Sequence, residues 1–159
     1  MSIWDKYPNY SEQELGTLTK AASEVLMTGG GYEVAGMETL DIPPRAAAKE
    51  VAEILRDTIP GITANAVQQL FESRTMSSDL AVQILGVFRE QPGLAELIAA
   101  EYEQATKRMA GIEIILTAAL LVLACKIKKF KLDKNGVEIT FAPFSEKITA
   151  LLSLLLSKG

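Results

Sequence analysis

With 159 residues, no histidine and one cysteine, the chain lacks the commonest general base, the commonest metal ligand and any internal disulfide. We therefore expect one domain, no zinc or iron centre, and no disulfide-stapled secreted scaffold. The net charge of −4 divides into −6 for residues 1–92 and +2 for residues 93–159, and the acidic first part argues against nucleic-acid binding there.

The first ten residues, MSIWDKYPNY, show neither the basic segment nor the apolar core of a signal peptide. We expect a cytoplasmic protein, with the inner face of the membrane as the other location. Trp4, Tyr7 and Tyr10 lie in this Pro-containing segment, which we predict to pack as an ordered arm.

A helix is predicted after the arm, because Ser11 to Glu14 has the pattern of a capping box. Its apolar positions recur at helical spacing, at Leu15, Leu18, Ala22, Val25 and Leu26. Gly29 to Gly31 are predicted to end it. A phosphate loop would instead follow a strand and finish in Gly-Lys-Ser or Gly-Lys-Thr, so we interpret the glycines as a helix stop.

Three more short helices are predicted up to Arg89. The first starts near Pro44, runs to about Thr58 and buries Ala47, Val51, Ile54 and Leu55. Thr63 is predicted to cap the second, and Ser77 or Ser78 the third. Their inward positions are Val67, Leu70, Phe71, Leu80, Ile84, Leu85, Val87 and Phe88.

The last two of these helices also have the approximate spacing of a helix-turn-helix, with Arg74 to Ser78 as the link. A DNA-recognition helix needs cations, yet this one offers Asp79, Gln83 and a late Arg89. Packing within a helical bundle is the favoured interpretation.

The most apolar stretch of the chain is GIEIILTAALLVLAC, Gly111 to Cys125. An apolar stripe runs into it from Leu94 in steps of three and four, and Gly111 is a point where the helix can kink or break. From Ala118 onward the stretch is apolar on every side. The sequence therefore predicts that this end of the helix is buried.

A β-hairpin is predicted from Phe130 to Phe141, because Asn135-Gly136 separates two runs of alternating apolar residues. A two-residue turn pairs Leu132 with Ile139, and a four-residue turn shifts the pairing by two. Ser145 is predicted to cap a final, leucine-rich helix. An isolated hairpin is marginal in water, so we expect it to pack on the apolar helix and this last helix.

A membrane remains the alternative environment for the apolar stretch. Ala110 to Cys125 spans about 24 Å at ~1.5 Å per residue, short of the ~30 Å hydrocarbon core, and Glu113 opposes insertion. The lysines that follow form the basic flank typical of a cytosolic membrane boundary. Both the buried helix and the inserting helix are kept as hypotheses.

Short capped helices from Ser11 to Arg108, followed by an apolar helix and the KIKKFKLDKNGVEITF hairpin, resemble the effector-associated and death-like helical modules of prokaryotic conflict systems. The resemblance implies an adaptor that recruits effector enzymes by like-with-like contacts. It carries no residue motif, so it implies no functional residue.

The resulting prediction is a mainly α-helical bundle (residues 1–108) with an apolar helix, one hairpin and a C-terminal helix (residues 109–159), together forming one structural unit. We predict a non-enzymatic interaction or oligomerisation module, without cofactor, metal or catalytic residues, that binds itself or a protein partner. A membrane-anchored or membrane-perforating protein is the alternative. Candidate interaction or membrane residues are Ile112, Leu116, Leu120, Leu123, Lys126, Lys128, Lys129, Leu152 and Leu155.

Overall fold

The computed structural model describes residues 2–30, 42–108, 117–126, 129–132, 137–140 and 142–157. They form a 3-10 helix (Ile3–Lys6), α1 (Glu12–Gly30), α2 (Pro44–Leu55), α3 (Ala64–Glu72), α4 (Arg74–Arg89), α5 (Pro92–Arg108), α6 (Thr117–Lys126), β1 (Lys129–Leu132), β2 (Val137–Thr140) and α7 (Ala142–Ser157). This part of the chain is a mainly helical bundle, as the sequence predicts.

Three of the predicted helix starts are confirmed. The Ser11 hydroxyl accepts a hydrogen bond from the Glu14 amide at 3.1 Å, and the Glu14 carboxylate accepts one from the Ser11 amide at 2.9 Å. These are the two reciprocal bonds of a capping box. The Thr63 hydroxyl accepts a hydrogen bond from the Ala66 amide at the start of α3, and Pro44 is the first residue of α2.

Two predicted caps are wrong. Helix α4 begins at Arg74, because the Ser73 hydroxyl accepts a hydrogen bond from the Met76 amide at 3.3 Å. Ser73 ends α3 and caps α4, so Ser77 and Ser78 lie inside the helix and the predicted link does not exist. Helix α7 likewise begins at Ala142, before Ser145, with Pro143 in a first turn that does not need its N–H.

The inner face of α2 differs from the prediction at one position. Ala47, Ala48, Val51 and Leu55 are buried, whereas Ile54 is 37% exposed. The buried stripe advances in steps of four, which leaves Ile54 at its edge. The helix also ends at Leu55, three residues before the predicted end.

The strands β1 and β2 pair antiparallel, with Phe130 opposite Ile139 and Leu132 opposite Val137. This is the register of the four-residue connection, one of the two that the sequence allows. Residues 133–136 and Phe141, which the predicted hairpin includes, lie outside the described residues. Strand β1 lies against α1, which the sequence did not suggest as its neighbour.

Helix α6 occupies the interior of the bundle. It contacts α1, α2, α4 and α7, and its residues from Ala119 to Cys125 are all buried. They belong to one hydrophobic core that also includes side chains from the arm, α1 to α5 and α7. Each fully buried leucine contributes about 1.5–3 kcal/mol to folding, so α6 is a large part of the core.

Candidate interaction site

The candidate residues of α6 lie in the core rather than at the surface. Leu120 and Leu123 are fully buried. Thr117, at the start of the helix, donates a hydrogen bond to the carbonyl of Ser77 in α4 at 2.9 Å. Ile112 and Leu116 lie outside the described residues. In this conformation Leu120 and Leu123 have no access to a partner or to lipid.

The predicted basic flank is described at one residue. The Lys126 ammonium lies 3.4 Å from the Glu50 carboxylate of α2, and its side chain is 19% exposed. Its position in the last turn of α6 also favours a positive charge. Lys128 lies outside the described residues, and Lys129 is described only as the backbone of β1. Lys126 thus has a structural role that needs no lipid.

Helix α7 contains the remaining candidates and differs from α6 in its burial. Leu152 is fully buried, whereas Leu151, Leu155 and Leu156 are half-buried and Leu154 is 56% exposed. Among the exposed large apolar side chains that the structure describes, Leu154 has the highest exposure. Leu151, Leu154 and Leu155 lie on one side of the helix, at spacings of three and four. This side of α7 is called the leucine edge below.

A second surface of interest is where the N-terminal arm, residues 2–10, contacts α4 and α5. The Trp4 indole is buried in the core, and its Nε1–H donates a hydrogen bond to the carbonyl of Ala95 at 2.8 Å. Ile3 is buried beside it. The sequence predicted an ordered arm; the residues that receive it were not predicted.

Tyr7 of the arm lies directly over Gly86 of α4. A Cβ atom at Gly86 would be 2.2 Å from the Tyr7 hydroxyl oxygen, so this ring position requires glycine. The Arg89 guanidinium carbon lies 5.1 Å from the centroid of the same ring, a cation–π distance. We call the surface formed by Gly86, Arg89 and Ala95 the arm site. The sequence analysis did not single out this site, and a glycine within a helical pattern is the one signal that could have drawn attention to Gly86.

The Gly86→Ala variant tests this contact. Alanine favours a helix interior by about 1 kcal/mol, but displacement of the Tyr7 ring opposes that gain and is expected to cost about 1–3 kcal/mol. We expect a lower or equal free energy of unfolding in denaturant titrations. In a Tyr7→Ala background the same substitution is expected to stabilise the protein. The absence of this reversal in sign would contradict the packing of Tyr7 on Gly86.

Charges surround the arm where it joins α1. The Glu14 carboxylate forms an ion pair with Lys6, and their hydrogen bond lowers the pKa of Glu14 and raises the pKa of Lys6. Burial raises the pKa of Tyr10, whose ring contacts that of Tyr7 edge-on at 6.2 Å. The buried Tyr10 hydroxyl has no hydrogen-bond partner among the described residues. The Lys6–Glu14 ion pair therefore connects the arm to the first turn of α1.

Cys125 reports on the burial of α6. Burial raises the pKa of its thiol from 9.0 to about 12. Because the thiolate is the reactive form, we expect dithionitrobenzoate to label Cys125 only as fast as the protein opens. The raised pKa also makes a stabilising contribution that is complete below pH 9 and declines as the pH rises towards 12. Labelling as fast as that of a free thiol in native buffer would contradict permanent burial.

No group of three or more potential metal ligands occurs within the described ranges. Within the described residues, four buried hydroxyls donate hydrogen bonds to main-chain carbonyls: Thr17 to Gln13, Thr19 to Gly16, Ser23 to Thr19, and Thr117 to Ser77. Across the helices that the structure describes, none combines the length and apolar content needed to cross a membrane.

The chain matches no family model, no curated protein and no solved structure. The resemblance to conflict-system adaptor modules therefore stays a prediction. The arm site and the leucine edge of α7 are the two surfaces on which a functional argument can be built.

Proposed function

We propose that the protein is a non-enzymatic interaction module that associates with a second copy of itself through the leucine edge of α7. The observation that carries the proposal is the uneven burial of this helix, in which Leu152 is fully buried and Leu154 is 56% exposed. Exposed apolar area next to half-buried leucines is typical of protein contacts. A second α7, packed against the first, would bury the same residues on both copies.

The charge distribution of α7 supports a contact between helices. Among the α7 side chains whose burial the structure describes, the exposed ones are Glu146, Ala150, Ser153 and Leu154, of which one is charged. Charged side chains are depleted at the centres of protein interfaces, where their desolvation is unfavourable. An adaptor that assembles by like-with-like contacts, in a bacterial defence or signalling system, is the use we propose for this surface.

The membrane alternative has less support. The side chains that would enter lipid, Leu120 and Leu123, are in the core, and Lys126 is paired with Glu50. Insertion would require α6 to leave its contacts with four other helices. We therefore assign the contact between two copies to α7, while α6 stays in the core of each copy.

Size-exclusion chromatography with light scattering tests the proposal on the full chain. We expect the wild type to show a mass greater than one chain, and Leu154→Lys to lower that mass. Leu97→Lys is the matched control, because Leu97 is 40% exposed on a different helix, α5. A wild type that stays monomeric at every concentration, or equal effects of the two lysines, would contradict the proposal.

A further inference from the structure

The contacts that hold the arm come from distant parts of the sequence. Trp4 donates its hydrogen bond to Ala95, which is 91 residues further along the chain. Tyr7 packs on Gly86 and under Arg89. Two further contacts join residues that are near in sequence: Lys6 forms an ion pair with Glu14, and the Tyr7 ring contacts the Tyr10 ring. The arm and the arm site therefore resemble a peptide and its receptor within one chain.

The arm site fits this peptide by shape as well as by chemistry. Because glycine has no Cβ, Gly86 leaves room for the Tyr7 ring, and any other residue would occupy that space. The indole of Trp4 enters the core, and the carbonyl of Ala95 fixes its direction. Aromatic anchors in a fitted site, with a cation beside one ring, are the features that carry most of the affinity in protein contacts.

The docked arm also has one unfavourable element. The Tyr10 hydroxyl is buried and makes no hydrogen bond with the described residues, which is unfavourable because its hydrogen bonds to water are not replaced. The chain turns at the end of the arm, held by main-chain hydrogen bonds from Asn9 to Lys6 and from Tyr10 to Pro8. The arm can leave its site only if this turn opens.

We propose that two copies of this chain exchange their N-terminal arms, so that Trp4 and Tyr7 of each copy occupy the arm site of the other. Exchange repeats every contact between the arm and Gly86, Arg89 and Ala95, so its only losses are those of the turn and of association. Only residues 8–11 link Tyr7 to α1, and this short tether favours the arm's own site at low concentration, since short tethers give effective concentrations near ~1 mM. Exchange then grows with concentration. Arm exchange rests on the proposed function only for the identity of the partner, which is a second copy of the chain.

Two full-length variants remove the competition from each chain's own arm. Trp4→Ala has an arm without its anchor and a normal arm site. Gly86→Leu has a normal arm and a blocked arm site. Trp4 is the only tryptophan of the chain, so all tryptophan emission in the mixture comes from the Gly86→Leu copy. The emission maximum then reports directly where that arm lies.

We expect the tryptophan emission of Gly86→Leu alone to be red-shifted relative to that of the wild type. When Trp4→Ala is added, we expect the emission to shift to shorter wavelength. Light scattering should then show a two-chain species. The matched control is Gly86→Leu mixed with the double variant Trp4→Ala, Gly86→Leu, which offers no open arm site and should give no shift. An unchanged spectrum up to about 1 mM, the effective concentration of a short tether, would overturn the proposal. Blue emission from Gly86→Leu alone would also overturn it, because the arm would not need the space at Gly86.

Circular dichroism verifies that each variant is folded. If Gly86→Leu is unfolded, Gly86→Ala replaces it, since its methyl group meets the same ring. If Trp4→Ala is unfolded, the double variant Trp4→Phe, Tyr7→Ala replaces it, which also lacks tryptophan emission. Repeating the mixture with Leu154→Lys in both chains separates the two proposals. A shift that persists there supports arm exchange even if the leucine edge makes no contact.

Discussion

Replacing Leu120 by lysine is expected to unfold the protein. Leu120 is fully buried at the centre of α6, with α1, α2, α4 and α7 around the helix. A buried, unpaired charge costs several kcal/mol, which is comparable to the 5–15 kcal/mol that stabilises a typical domain. Loss of helical circular dichroism and of a cooperative thermal transition would be the result.

The milder Leu120→Ala variant measures how much the Leu120 side chain contributes to the free energy of unfolding. We expect the free energy of unfolding to fall by about 2–5 kcal/mol, the range for removing a leucine from a packed core. Leu97→Lys serves again as the control, with a change within about 0.5 kcal/mol because its side chain is already partly in water.

The Leu120→Lys variant also decides between the two hypotheses for the apolar stretch, a buried helix and a helix that inserts into lipid. If α6 is a permanent core helix, Leu120→Lys removes the fold. If α6 is released to enter lipid, the substitution leaves the fold intact and abolishes dye release from liposomes. A folded Leu120→Lys protein would therefore contradict the interpretation of α6 as a permanent core helix.

Replacing Trp4 by alanine is the second change with a large expected effect. The indole is buried in the main core and donates a hydrogen bond to Ala95, and removing a buried aromatic side chain costs about 3–5 kcal/mol. Trp4→Phe keeps most of the apolar contact and loses the donor, so we expect a smaller loss of about 1–2 kcal/mol. Chemical denaturation followed by circular dichroism measures both.

Asn9→Ala is the control for the arm, because Asn9 is exposed and its main-chain amide makes the hydrogen bond of the turn. We expect its stability to match that of the wild type. A Trp4→Ala variant as stable as Asn9→Ala would show that the arm is not part of the core, and the arm site would lose its basis.

Much of the bundle follows from local sequence patterns. Ser11 with Glu14, Thr63 and Pro44 mark helix starts correctly, because a capping hydrogen bond or a fixed φ acts within one turn of the chain. The predicted cap at Ser77 or Ser78 failed because Ser73 competes for the same role four or five residues earlier. A short-range pattern identifies the kind of cap, but not which of several serines provides it.

The candidate site was predictable in part. The leucine richness of α7 and the apolar character of α6 are visible in the sequence, yet the two helices differ in burial. Leu120 and Leu154 have the same side chain and lie in similarly apolar surroundings in the sequence. One is fully buried and the other is 56% exposed, because four helices enclose α6 whereas α7 packs on α4 and α6 from one side.

The sequence by itself determined the class of the fold and the apolar character of the stretch from Gly111 to Cys125, since hydrophobic periodicity and caps are local properties. Only the tertiary structure decided what α6 touches and where the arm binds. Gly86 and Ala95 come close to Tyr7 and Trp4 across some 80 to 90 residues of chain, through packing that no local pattern encodes. Long-range contacts of this kind depend on how all the helices assemble, so they emerge only when the whole core is formed.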